Sequence, residues 1–142
     1  MITFGEELPN KDDYFSLFET TGWNQKYQLS PEDLVKANLH SWLVVCAYDA
    51  DKLVGFGRVV TDHVMHAMIF DMIVQPEYQH LGIGTQILTR LVDRCLTLGI
   101  KDIQLFCAAG KRAFYEKNGF EARPEDAPGM QFRFDRPVSV RR

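Results

Sequence analysis

The 142 residues include only three cysteines, Cys46, Cys95 and Cys107, and that scarcity already removes two kinds of scaffold. The number is odd and the spacing matches no metal-ligand pattern, so neither a disulfide framework nor a zinc cluster is expected. Cys46 sits in an apolar run and Cys95 on the apolar stripe of a helix, and both read as small buried hydrophobes. Cys107 has no adjacent base to activate its thiol, so a structural role is expected for it as well. His40, His63, His66 and His80 form no ligand spacing, and no metal is expected. Positive charge is not in excess: 16 Lys and Arg stand against 19 Asp and Glu, a net charge of −3. That balance argues against sequence-independent nucleic-acid binding, and the closing Arg141-Arg142 reads as a solvated tail. No apolar run is long enough to cross a membrane. The early stretch with Glu6, Glu7, Lys11, Asp12 and Asp13 is too polar for a signal peptide. A reducing, cytoplasmic setting is the expectation, with a single domain over residues 1–142 because no repeat, linker or low-complexity tract divides the chain.

What is present is enough apolar material for a core, 46% hydrophobic and 12% aromatic. Ile2 to Phe4 reads as a short strand and Asp12 to Phe18 as a short helix, broken at Thr20-Thr21-Gly22-Trp23-Asn24. Ser30-Pro31-Glu32-Asp33 starts a helix that runs to about His40: Ser30 caps, Pro31 occupies the first turn and Asp33 stands three residues past the cap. Trp42 to Tyr48 and Leu53 to Val60 read as strands joined by a hairpin turn over Asp49-Ala50-Asp51-Lys52. Thr61-Asp62-His63 turns the chain again into a strand from Ala67 to Val74, ended by Pro76. Ile87, Leu88, Leu91, Val92, Cys95 and Leu98 mark one face of a helix over 83–98, stopped by Gly99. Asp102 to Cys107 is the next strand, and the crossover makes it parallel to the strand before the helix. Lys111 to Lys117 is a last helix with Gly119 as its left-handed stop. Phe120 to Ala122 and Met130 to Phe134 are expected to close the fold as a hairpin. The class is α+β: a mixed, mostly antiparallel sheet with helices on both faces.

Between the strand over 67–74 and the helix over 83–98 lies Gln79-His80-Leu81-Gly82-Ile83-Gly84-Thr85. Glycines there let backbone N–H groups approach a phosphate, and the first helical turn adds unpaired donors and the positive end of the helix dipole. A dinucleotide fingerprint would need a third glycine where Ile87 stands, and a nucleoside-triphosphate loop would need Gly-Lys-Ser/Thr. Neither is present, which leaves a pyrophosphate loop of the form Gln/Arg-x-x-Gly-x-Gly/Ala.

On the next helix stands Ala113-Phe114-Tyr115-Glu116-Lys117-Asn118-Gly119-Phe120. Together with Asp71-Met72-Ile73-Val74, Pro76, Tyr78 and the glycine loop, it resembles the GNAT superfamily of acetyl-CoA-dependent N-acetyltransferases over residues 40 to 135. Leu53-Val54-Gly55 through Asp62, Asp71 and Gly129-Met130 look like the plant-type serotonin N-acetyltransferases and their bacterial relatives. The resemblance implies a GNAT-type sheet whose two parallel strands splay apart to admit acetyl-CoA as cosubstrate. Backbone groups of Ile73 and Val74 would pair with its pantetheine arm, and N–H groups of Gln79, His80, Leu81, Gly82, Ile83, Gly84 and Thr85 would hold its pyrophosphate. Phe114 and Lys117 would lie beside the coenzyme, and Tyr115 would be the catalytic acid. A homodimer is an expectation of the same kind.

The chemistry asks for matching groups. A primary amine, with a reference pKa of about 10.4 for lysine, must lose a proton before it attacks a thioester. Asp71 is the first candidate to take that proton or orient the amine; the alternative is that strand alternation turns it to solvent. Backbone N–H groups can stabilise the charge that develops on the carbonyl oxygen, and a phenol at Tyr115 can protonate the thiolate. Tyr115 could equally be a core aromatic. Trp23, Asn24 and His66 are candidates for the amine pocket, against packing or solvation as their alternatives. Lys111, Arg112 and Lys117 form a basic helix face within reach of a phosphate or merely of solvent. The expected function is direct acetyl transfer from acetyl-CoA to a primary amine, most readily of a small molecule. The alternatives are acetylation of a protein N-terminus or lysine, a coenzyme-binding module without turnover, and a structural domain whose glycine loop is only a turn. No nucleic-acid or membrane partner is expected.

Overall fold

Apolar runs that fill both faces of two central strands set the architecture. The computed structural model describes residues 1–134 and divides the chain into two compact units, Met1–Phe106 and Cys107–Arg142. Arg141-Arg142 lies outside the described residues.

The first unit runs β1 (Ile2–Gly5), α1 (Lys11–Glu19), α2 (Asn24–Tyr27), α3 (Pro31–Leu39), β2 (Leu43–Asp49), β3 (Lys52–Thr61), β4 (His66–Val74), α4 (Ile83–Leu98) and β5 (Asp102–Leu105), with a single 3-10 turn at Pro76–Tyr78. The sheet order is β1-β2-β3-β4-β5. Neighbours are antiparallel except β4 and β5, which are parallel, as the crossover through α4 requires. One face carries Val44, Cys46, Phe56 and Ile73 against Tyr14, Leu17, Phe18 and Leu34 from α1 and α3. Tyr14 meets Phe56 edge-on at 4.5 Å between ring centroids. On the other face, Gly55 and Gly57 of β3 lie under Ile83, Ile87 and Leu91 of α4. Ile87, Leu88 and Leu91 are fully buried, and each contributes about 1.5–3 kcal/mol by leaving water.

The caps are those the sequence announces. In α3 the Ser30 hydroxyl accepts from the Asp33 amide at 3.1 Å, and the Asp33 carboxylate accepts from the Ser30 amide at 3.0 Å. Ser30→Ala is expected to cost about 1 kcal/mol. The check is a lower urea midpoint with an unchanged slope. Gly99 stops α4 at φ +88°, and the Ile100 amide reaches back to the Cys95 carbonyl at 3.1 Å.

Two expectations need correction, and one short element was not expected. Past the break, the chain forms the single turn α2, closed by Asn24. β5 ends at Leu105, and Cys107 is exposed, so it has no buried packing role. The closing hairpin does not form: residues 120–122 and 130–134 carry no strand. Between them the Ala127 amide donates to the Pro124 carbonyl at 2.9 Å and closes a local turn.

In the second unit, α5 (Arg112–Lys117) ends before Gly119 at φ +94°. The Phe120 amide returns to the Tyr115 carbonyl at 3.0 Å, and the Asn118 side-chain amide donates to the Phe114 carbonyl at 2.8 Å.

Candidate functional site

β4 shapes the site because one of its residues does not alternate. Phe56 pairs with Ile73 and Arg58 pairs with Phe70, so Gly57 faces two residues, Asp71 and Met72. Asp71 absorbs the extra length in the left-handed region, at φ +57°. This is a β-bulge, and aspartate tolerates its conformation better than most side chains.

Strand alternation alone does not describe Asp71, which the bulge holds against a partner and not freely in solvent. Its Oδ2 accepts from Arg58 Nε at 2.8 Å, with side-chain exposures of 25% and 16%. Arg58 also donates through Nη1 to the Ser41 hydroxyl at 3.2 Å and the Ala37 carbonyl at 3.4 Å, and stacks over Phe70 at 5.4 Å. Tyr14 and buried Asn38 extend this polar cluster: burial pushes the Tyr14 phenol far up, and the nearby Asp71 carboxylate adds to the rise.

Beyond the bulge the sheet opens. The β4–β5 ladder stops at Ile69 opposite Leu105, while β4 continues to Val74 against β3. The Gln75 amide donates to the Val54 carbonyl at 2.8 Å, toward β3. Backbone groups alternate along a strand, so those of Ile73 also point to β3 and those of Met72 and Val74 point to the open edge. The side chain of Ile73 is in the core. The Val74 carbonyl accepts from Gln79 Nε2 at 3.1 Å.

The glycine loop follows directly. Tyr78 anchors the 3-10 turn by donating its hydroxyl to Asp49 Oδ2 at 2.6 Å, a bond that raises the phenol above its ordinary range. His80 (φ +66°) and Gly82 (φ +84°) reverse the chain, and Leu81 between them is exposed. Gly82 caps α4 with no side chain, and the first intrahelical bond runs from the Gln86 amide to the Gly82 carbonyl at 3.1 Å. The amides of Ile83, Gly84 and Thr85 therefore precede the helical ladder and are left to an outside acceptor at the positive end of the helix. A Cβ at Gly82 would meet nothing within 4 Å, so the surface above the loop is clear. Three unpaired amides and an open strand edge suit a diphosphate followed by an extended, amide-bearing arm.

The other candidates separate into two groups. In the second unit, Tyr115 is 9% exposed and lies between Phe114, at 5.0 Å, and Phe120, at 6.1 Å. Burial first, and Cys107 second, push its phenol up to about 12. Lys117 and Lys111 are exposed, and Arg112 pairs with Glu116 at 3.0 Å. In the first unit, Trp23 packs edge-on against Phe18 at 5.9 Å, and Asn24 spends both ends of its amide on Leu29. His66 Nδ1 is 2.9 Å from Asp102 Oδ2, where β4 and β5 are still paired, and so stands at the opposite end of β4 from Val74. Sequence reasoning missed Arg58 as the partner of Asp71 and gave Gly55 no packing role. An arginine in a strand announces no partner, and a strand glycine announces only some close approach.

The acetyltransferase (GNAT) family model matches residues 8–120. Among curated relatives, GCN5-related N-acetyltransferase 2, chloroplastic, from Arabidopsis thaliana is 42% identical over 79 residues, covering 56% of this chain and 31% of that protein. Serotonin N-acetyltransferase 2, chloroplastic, from Oryza sativa subsp. japonica is 34% identical over 105 residues, covering 71% of this chain and 52% of that protein. The chain thus spans about a third of the first relative and about half of the second. Among solved structures, a GNAT family acetyltransferase from Streptococcus pneumoniae superposes with a TM-score of 0.78 at 26% identity, covering 96% of this chain and all of that one.

Proposed function

This chain belongs to the GNAT acetyltransferase family, and from that premise we propose that it transfers the acetyl group of acetyl-CoA to a primary amine of a small molecule. One observation carries the reading: an open edge at Met72 and Val74 beside three ladder-free amides at Ile83, Gly84 and Thr85, within one compact unit. The amides receive the diphosphate, and the edge receives the pantetheine arm as an added strand. An N–H near Val74 faces the thioester carbonyl and stabilises the charge that grows there as the amine attacks. Asp71, fixed at the bulge by Arg58, orients the amine and takes its proton directly or through a water. Tyr115 protonates the departing thiolate; a family motif supports this role, as does a phenol that stays neutral at ordinary pH. No covalent enzyme intermediate is needed, because holding amine and thioester together supplies much of the acceleration.

The rice relative's printed name supports an arylalkylamine acceptor. The experiment is thiol release from acetyl-CoA with a panel of arylalkylamines, polyamines and lysine peptides. Release is expected with the arylalkylamines and not with the peptides. Release with peptides alone would make this a protein acetyltransferase, and tight coenzyme binding without release from any amine would make it a sensor. Coenzyme A should also raise the melting temperature, since a ligand of the native state stabilises it.

A further inference from the structure

Gly55 belongs to neither half of the proposed coenzyme site, yet it touches both. In the sheet it stands directly opposite Val74 at the open edge. Above it lies the start of α4: a Cβ built on Gly55 would come within 2.8 Å of Ile87 Cδ1, 3.1 Å of Ile83 Cγ2 and 3.2 Å of the Ala47 Cβ. Ile83 is the first residue of α4 and bears one of the ladder-free amides. We propose that Gly55 is a positioning residue that sets the distance between the thioester edge at Val74 and the diphosphate amides of α4. The inference rests on the acetyl-CoA reading above.

The argument turns on which neighbours can give way. Ile87 Cδ1 is the tip of a flexible side chain. Ile83 Cγ2 and the Ala47 Cβ are bonded at or next to the backbone, and no rotation about χ2 moves them. A methyl at position 55 is therefore relieved by lifting the first turn of α4 from β3, which carries the amides of Ile83, Gly84 and Thr85 away from Val74. Gly57 is a matched control. Its Cβ would come as close, 2.7 Å from Met72 Sδ, 2.9 Å from Leu91 Cδ1 and 3.0 Å from Ile87 Cγ2, but under later turns of the helix. Met72 Sδ and Leu91 Cδ1 lie far out on rotatable side chains, so the strain there is absorbed away from the first turn.

The two donors that separate the halves are acetyl-CoA and acetylpantetheine, which keeps the thioester arm and lacks the diphosphate and nucleotide. In the unaltered protein, kcat/KM is expected to be much higher for acetyl-CoA. Gly55→Ala is expected to shrink that preference about tenfold through KM, with kcat at saturation nearly unchanged and acetylpantetheine used as before; such a change is about 1.4 kcal/mol of lost diphosphate binding. Gly57→Ala, which strains Met72 at the open edge, is expected to lower the melting temperature and to weaken both donors alike, leaving the preference intact. If Gly55→Ala folds poorly, pairing it with Ile83→Leu, which removes the β-branch, should restore both folding and the preference. Equal losses with both donors, or the same loss of preference in Gly57→Ala, would overturn the positioning role. An unaltered protein with no preference between donors would instead overturn the acetyl-CoA site itself, and the spacing role with it.

Discussion

Gly82→Val is expected to weaken coenzyme A binding by roughly 5- to 150-fold, the equivalent of about 1–3 kcal/mol of backbone strain. The cause is conformational. Gly82 sits at φ +84°, which a β-branched residue adopts only under strain, while its Cβ would find open space. Relief comes from rotating the chain out of the left-handed region, which swings the amides of Ile83, Gly84 and Thr85 off their common aim. Gly82→Asn, with a side chain that tolerates positive φ, should keep most of the affinity. Calorimetric titration of coenzyme A into each variant separates the cases, with a thermal melt to show that α4 is still docked. Full affinity in the valine variant would place the diphosphate elsewhere.

Tyr115→Phe is expected to lower kcat by about 10²-fold, the lower end of what a positioned proton donor supplies, with KM for acetyl-CoA nearly unchanged. The ring contacts with Phe114 and Phe120 survive the change, so the fold should not suffer. The pH dependence follows from the raised phenol. A group held up to about 12 by burial and by Cys107 stays protonated at every lower pH, so its donor form is lost only as the pH climbs toward that value. The ratio of wild-type to variant rates should therefore stay flat across pH 6–10. The phenol also resists ionising in the folded state, so its share of stability is whole below the ordinary phenol range and lost as pH rises through about 12. A stopped-assay pH profile of both proteins checks the first point. An unchanged kcat would mean that another group or water serves the thiolate.

The parts of this fold legible in the sequence are those whose causes are local. Ser30 with Asp33, Gly99 and Gly119 mark helix ends through short-range hydrogen bonds and backbone sterics, and α4 declares its buried face by its own spacing. The glycine loop is legible for the same reason, since its unpaired amides follow from where α4 begins. The bulge at Asp71 is not local: it depends on Arg58, thirteen residues earlier, reaching across from β3. The role of Gly55 depends on Ile83 and Ala47, which no spacing rule connects to it. The expected closing hairpin rested on apolar residues at Phe120 and at Met130 to Phe134, but Met130, Phe132 and Phe134 are exposed, so no buried face rewards their pairing.

A sheet left half unzipped carries a hazard as well as a use. Bare strand edges recruit other chains, and repeated recruitment ends in aggregates. Here β5 screens the first stretch of β4, the left-handed kink at Asp71 bends the remainder out of the flat geometry a foreign strand would need, and the Gln79 amide sits on the Val74 carbonyl. The residues that leave room for one slender guest thus also make the opening a poor template for a second protein strand.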